Sequence, residues 1–552
     1  MGVLLGFLRR LARGGRAREN STSKPDPIPS GPREKVTAKV HPGLHKNLEE
    51  LKGTIGHNPD VIFREVHLGI KNRVKVGLVY IEQLVSKPLL YRNALESMLV
   101  QARQGPRSDF LSGPSPLEYL KNHAISIGDV QETDLMDAVI GHILAGDTAV
   151  FVDGQDKALI LSVRGWENRP VEEPDGEIVI RGPRVGFTET LRTNMALLRR
   201  RIRTPALAFE SFRLGRATHT EVLLAYIQGL APENLVKEVR RRLDTVDVDG
   251  VLESNYIEEF IEDNPFSPFP QIEHTERPDK VTAALLEGRV AILTDGTPFA
   301  LLVPTLFVQF LQASDDYYER FFIATFARLV RILAMATALL LPGLYVAITT
   351  FHQEMLPSQL VFSIAAQREG VPFPAVVEVF ILEFTFEVLR EAGLRLPGRL
   401  GQALSIVGAL VLGQAAVQAG IVSPALVMVV ALTGLATFAV PSFAMTVALR
   451  LLRFLLIAAG AGMGLFGIMV TLMVVTTHLA ALKSFGTPYL APISPFSLGD
   501  MKDVAVRVPL WAMTRRPQSL GSANRTRQAL RQAPGRAPLT TLWNWMGWGK
   551  KG

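Results

Sequence analysis

Three stretches in the second half of this chain carry no charged side chain: Ile332 to Phe351, Leu400 to Leu449 and Phe454 to Leu482. As α-helix, about twenty residues reach the ~30 Å of a bilayer's hydrocarbon core, and a chain in lipid must satisfy its backbone N–H and C=O groups internally. The runs therefore predict a polytopic α-helical membrane domain. Pro424 and Pro441 divide the longest run into spans near 402–422 and 424–441, and the last run reads as one long span. A further apolar segment, Pro374 to Arg390, carries Glu378, Glu383 and Glu387. A carboxylate centred in a lipid-facing helix costs roughly 2.5–3.5 kcal/mol, so this segment must turn its acids inward.

A fifth of the residues are charged, so apolar and charged residues are segregated along the chain. The layout expected is a basic disordered arm (1–44), an α/β subdomain (45–170), a connector (171–204), a second α/β subdomain (205–305), an amphipathic connector (306–331), a membrane domain of four to six helices (332–482) and a basic tail (483–552). The arm begins MGVLLGFLRRLARGGRAR, with apolar residues before the charges, the reverse of a secretory signal, and suits a short interfacial helix. Pro25, Pro27, Pro29 and Pro32 interrupt any helix beyond it. The tail ends TTLWNWMGWGKKG, whose indoles and lysines suit a membrane surface.

The soluble part matches itself. KVGLVYIEQL (Lys75 to Leu84) aligns with EVLLAYIQGL (Glu221 to Leu230) at an offset of 146, and GDTAVFVDGQDKALI (Gly146 to Ile160) with GRVAILTDGTPFALL (Gly288 to Leu302) at 142. Each member of the second pair reads as a strand, an Asp-Gly turn and a strand. Two matches in one order predict a duplicated unit in which Tyr80 corresponds to Tyr226 and Gly154 to Gly296.

The chain has no cysteine, which excludes disulfides, thiol catalysis, iron–sulfur clusters and cysteine-bound zinc. GMGLFG (Gly462 to Gly467) has dinucleotide-loop spacing but lies in a membrane run with no strand before it, so it reads as helix packing. No other catalytic motif is present, the ten histidines form no metal-ligand pattern, and neither cofactor nor metal is expected. The runs Arg199 to Arg203 and Arg240 to Arg242 read as solvated helix faces rather than phosphate sites.

Two features of the membrane runs stand out. Gly401, Ser405, Ala409 and Gly413 form a small-residue ladder at four-residue spacing, with Gln402, Gln414 and Gln418 on the same span, as expected of a helix inside a bundle or an oligomer, packing on its own copies around a pore. Glu383, Glu387 and Arg390 share one helix face and Glu378 points away. This intramembrane network fits either a Glu/Arg seal inside the bundle or a water-filled cation path. Arg328 and Arg331, then Arg390, Arg395 and Arg399, then Arg450 and Arg453 flank the spans on one side, which places the N-terminal domain in the cytoplasm. Five crossings would nevertheless put the tail from Met501, with ten Lys/Arg and one acid, outside.

EDNPFSPFPQIEHTERPD (Glu262 to Asp279), DDYYERF (Asp315 to Phe321), LPGLYVAITTFHQEMLP (Leu341 to Pro357), SIAAQREGVPFPAVVE (Ser363 to Glu378) and SIVGALVLGQAAVQAGIVSP (Ser405 to Pro424) closely resemble the A subunits of GerA-type spore germination receptors. The resemblance runs from about Gly182 to Pro517, and stage V sporulation protein AF is a related paralogue. It implies an integral subunit of the spore inner membrane that works with a B subunit, a transporter-like nutrient sensor, and a C subunit, a lipoprotein, with several A subunits forming a nutrient-gated ion channel. It also implies no catalytic residues.

Overall fold

The structure, a computed structural model, describes residues 38–68, 74–104, 116–121, 125, 127, 129–165, 173–174, 176–395, 408 and 411–529. The basic arm up to residue 37 and the Trp-rich end lie outside these residues. The described chain forms two compact units. One holds the residues up to Glu262, His274–Pro304 and those from Pro509; the other holds Asp263–Glu273 and Thr305–Val508.

In the first unit, strands β1 (Val61–Leu68), β2 (Val74–Ile81), β3 (Val130–Thr133), β4 (Thr148–Val152) and β5 (Ala158–Leu161) form a sheet of order β1-β2-β4-β5-β3. Strands β6 (Leu207–Leu214), β7 (Thr220–Ile227), β8 (Glu273–Thr275), β9 (Val290–Thr294) and β10 (Ala300–Val303) form a second, of order β6-β7-β9-β10-β8. The expected α/β subdomains thus take the form of antiparallel hairpins covered by helices. The registers repeat as the sequence offsets require: Val61 opposite Ile81 becomes Leu207 opposite Ile227, and Val76 opposite Val152 becomes Val222 opposite Thr294. The central strands Thr148–Val152, Ala158–Leu161, Val290–Thr294 and Ala300–Val303 are buried along their whole length, so a one-residue slip would exchange the side chains packed in the two cores that flank each sheet.

The helix starts repeat too. Before α1 (Leu44–Ile55), Asn47 accepts from the His41 N–H at 2.8 Å and donates to the His41 carbonyl at 2.6 Å; before α3 (Leu191–Arg201), Asn194 does the same with Thr188 at the same two distances. Asp153 and Asp295, of the two Asp-Gly turns, accept from the first N–H of each helix, at Leu44 and Leu191. Helix α2 (Met136–Leu144) of the first subdomain corresponds to α5 (Pro278–Leu286) of the second, while Arg240 of α4 (Glu233–Asp244) reaches Glu210 and Tyr226, on the sheet face opposite α3 and α5.

The run Arg199 to Arg203 corrects its reading as a solvated face at one position. Arg199 is buried, donates twice to Asp60 at 3.0 Å and once to the Leu207 carbonyl at 3.0 Å, and lies over the Phe209 ring. It joins the two subdomains, and Asn58 adds to the join by accepting from the Phe209 N–H. Arg240 pairs with Glu210, and Glu238 is held down to about 2 by hydrogen bonds from Arg241 and Arg242, so the second arginine run is also occupied within the chain.

The second unit is helical: α6 (Phe321–Phe351), α7 (Ser358–Arg368), α8 (Ala375–Leu394), α9 (Pro424–Phe438) and α10 (Phe443–Ala481). By length and composition α6 and α10 are membrane-capable. The structure corrects one expectation, that the last run is a single straight span. Gly464 has φ 61° and ψ −145°, far from helical, and beyond it Ile468 packs with Leu456 while Leu479 joins Met445 and Leu449 in one cluster. In a straight helix residues 456 and 468 would lie about 18 Å apart. Residues 465–481 therefore run back along 443–463. The loss of Cβ is decisive at Gly464, where a Cβ would meet the His352 ring at 2.6 Å.

Candidate functional site

Within the second unit the acids of α8 meet arginines of other helices. Glu383 and Glu387 are one turn apart on α8, and Arg453 and Arg450 are one turn apart on the first arm of α10, running the opposite way. Arg453 Nη1 donates to Glu383 Oε2 at 2.7 Å, with the two side chains 1% and 0% exposed, and Arg450 pairs with Glu387. Arg453 also donates from Nε to the Ala338 carbonyl at 2.7 Å. In helix α6 that carbonyl would ordinarily accept from residue 342, which is Pro342 and has no N–H. One guanidinium thus satisfies both a buried carboxylate and the backbone acceptor that the proline leaves free.

Glu378 faces elsewhere, as its helix position requires. Its Oε2 accepts from the Ser423 N–H at 3.0 Å, at the start of α9, and Arg368 lies 3.3 Å from Oε1. Gln367 accepts from Ala425 N–H beside it. A carboxylate and an amide oxygen here complete the donors that every helix start leaves open and suit its positive end. Arg390 departs from the network expected for it: its guanidinium lies over the Phe438 ring, 5.7 Å from the centroid, and its buried Nη1 has no hydrogen-bond partner among the described residues.

The pairs leave a residue of unmatched polarity. Among the described residues, Glu383 Oε1, Glu387 Oε1, Arg450 Nε and Arg453 Nη2 are buried without a hydrogen-bond partner. Groups of this kind are costly in apolar surroundings unless water or an ion reaches them.

Of the small-residue ladder, Gly401, Ser405 and Ala409, with Gln402, lie outside the described residues. Gly413 packs against its own chain, since a Cβ there would lie 3.1 Å from Val427 Cγ1 of α9. Gln414 and Gln418 are exposed, on the helical stretch 411–418.

The arginines taken as flanking charges are corrected. Arg328 sits inside α6, buried, with Asp316 at 2.9 Å and Asp503 at 2.7 Å, and Arg331 pairs with Asp316. Arg450 and Arg453 lie within α10 rather than before a span. Arg368 was not singled out from the sequence, and Arg450 and Arg453 were not read there as partners of the acids; the one signal was that 450 and 453, like 383 and 387, lie about one helical turn apart.

The described chain thus combines a hairpin-built unit of two subdomains with a helical unit that holds an internal Glu/Arg network and two membrane-capable helices. The chain belongs to the family described as Bacillus/Clostridium GerA spore germination protein, whose profile matches residues 49–519. Among its relatives, Spore germination protein KA of Bacillus subtilis (strain 168) is 46% identical over 90% of this chain and 90% of its own, and Spore germination protein GerLA of Bacillus cereus is 40% identical over 88% and 96%. The crystal structure of the N-terminal domain of the A subunit of the Bacillus megaterium spore germinant receptor GerK3 aligns at 35% identity over 50% of this chain and 100% of that one, with a TM-score of 0.40.

Proposed function

We propose that this chain is the A subunit of a nutrient germinant receptor in the spore inner membrane. Several copies, with the B and C subunits, form a channel that releases monovalent cations when nutrient is sensed. The observation that carries the reading is the face of residues 411–418. Gln414 and Gln418 are exposed there beside exposed Val411 and Leu412. Amides turned to lipid would lack partners, at a cost of several kcal/mol each, whereas a ring of copies gives them water and one another. Gly413 is occupied within the chain, so the glutamines rather than the ladder are the face offered to other copies.

The reading also removes the conflict over the tail. The return at Gly464 makes the last run cross twice, so α6, α8, the span near 402–422, α9 and the two arms of α10 give six crossings. Residues 509–529 belong to the same unit as the two sheets, which supports an even number independently. Both flanks then lie on one side, and the ten Lys/Arg against one acid from Met501 make that side the cytoplasm.

One observation favours a second reading, a non-conducting scaffold of the same complex: Glu383 and Glu387 each have an arginine partner in their own chain, which leaves neither of them free for a cation. The test is K⁺ release from loaded liposomes holding the chain with its B and C partners. Wild type should release K⁺ on sensing, and Gln414→Leu with Gln418→Leu should abolish release while cross-linking between copies persists. Release untouched by the double substitution would reject the glutamine face as the path.

A further inference from the structure

In the first subdomain, the chain leaving β5 stays to finish its own sheet. The Gly165 N–H donates to the Leu84 carbonyl at 3.2 Å, Val85 bridges to Arg164, and the Arg164 side chain lies against Gly146. At the offsets of the repeat, Leu84 corresponds to Leu230 and Gly146 to Gly288. There the chain leaving β10 cannot do the same, because beyond Pro304 it passes into the second unit.

The place is filled by the chain that returns from that unit. The Ala523 N–H donates to the Leu230 carbonyl at 3.2 Å, and Ser522 lies where Arg164 does, its Cβ 3.2 Å from the position of a Cβ on Gly288. Around this contact Arg516 Nε donates to the Leu286 carbonyl at 2.7 Å, and Arg527 pairs with Glu287 at 3.3 Å. Arg516, Leu520 and Ser522 are buried. The next residue of the same turn, Arg289, donates from Nε to the Pro304 carbonyl at 2.8 Å. Residues 286–289 therefore grip both the last residue before the helical unit and the segment that follows it.

We propose that residues 509–529 are an intramolecular ligand that completes the second subdomain, and that the turn 286–289 holds this segment and the end of the chain at Pro304 together. The surface takes a folded-back segment, in which Arg515 bridges to Thr526, with a small residue against Gly288, a backbone N–H toward Leu230 and an arginine into the Leu286 carbonyl. A segment held only through side chains at a chain end exchanges its amides freely; one that docks as part of the subdomain shares the protection of that subdomain. The inference holds whether or not the helices conduct.

Hydrogen exchange on the full chain in detergent tests it. In wild type, 284–290 and 516–527 should be protected to a similar degree, and Ser522→Trp, which cannot lie against Gly288, should speed exchange in both stretches by about tenfold or more. Where Ser522→Trp also loses the protection of β6, β7 and β9, Arg516→Ala is read by the same criterion. Faster exchange in 516–527 alone, or free-peptide exchange of 516–527 in wild type, overturns the proposal.

Discussion

Replacing Arg453 with leucine is expected to be the most damaging single substitution in the helical unit. Its guanidinium neutralises Glu383 and supplies the donor that Pro342 denies to Ala338, both in buried surroundings. Removing one member of a buried ion pair costs about 3–5 kcal/mol, because the other charge is left without compensation. The orphaned carbonyl adds to that loss. Thermal denaturation in detergent should show a much lower midpoint and membranes should contain far less protein. Glu383→Leu combined with Arg453→Leu removes both charges and should recover part of the stability, though not the part owed to Ala338. A midpoint for Arg453→Leu equal to wild type would show that the pair stabilises nothing.

Gly464→Ala should be the second large effect, with Gly462→Ala as its contrast two residues away. At Gly464 the backbone conformation is one that residues with a Cβ rarely adopt, at about 1–3 kcal/mol, and the new methyl would collide with His352 and Phe351. At Gly462 nothing lies within 4 Å of the added atom, and alanine is the better helix former. The first substitution should lower the denaturation midpoint and the second should leave it unchanged or raise it. The return itself is read by oxidising Leu456→Cys with Ile468→Cys in a chain that has no other cysteine. A disulfide is expected; its absence, with Gly464→Ala harmless, would mean a straight helix.

The contrast between what the sequence did and did not reveal has a physical basis. The repeat was legible because paired strands impose a period of two and an Asp-Gly turn fixes their ends, and the matched stretch Lys75 to Leu84 opens within the strand Val74–Ile81. The pairs Asn47 with His41 and Asn194 with Thr188 repeat at an offset of 147, one residue from the first of those offsets. The return at Gly464 was not legible, because in a run apolar on every side the helical period carries no signal and no proline marks the turn. Arg450 and Arg453 looked like charges at the end of a span because their partners lie some sixty to seventy residues away in sequence, and only the crossing of α8 with α10 brings them together. Arg199 was misread for the same reason, since Asp60 belongs to the other subdomain. The docking of residues 509–529 depends on a vacancy in the repeat that appears only when the two subdomains are laid on each other.

The proposed function requires the helical unit to cross the bilayer an even number of times, with both of its flanks on the cytoplasmic side. The most direct measurement is labelling of single cysteines in the otherwise cysteine-free chain, using a membrane-impermeant maleimide on intact cells and then on opened ones. Glu354, Ser494 and Lys237 are all exposed, on the Phe351 end of α6, in the segment after α10 and on α4. Glu354→Cys should label in intact cells, while Ser494→Cys and Lys237→Cys should label only after the cells are opened. Ser494→Cys labelled from outside while Lys237→Cys is protected, or all three protected alike, would contradict the account.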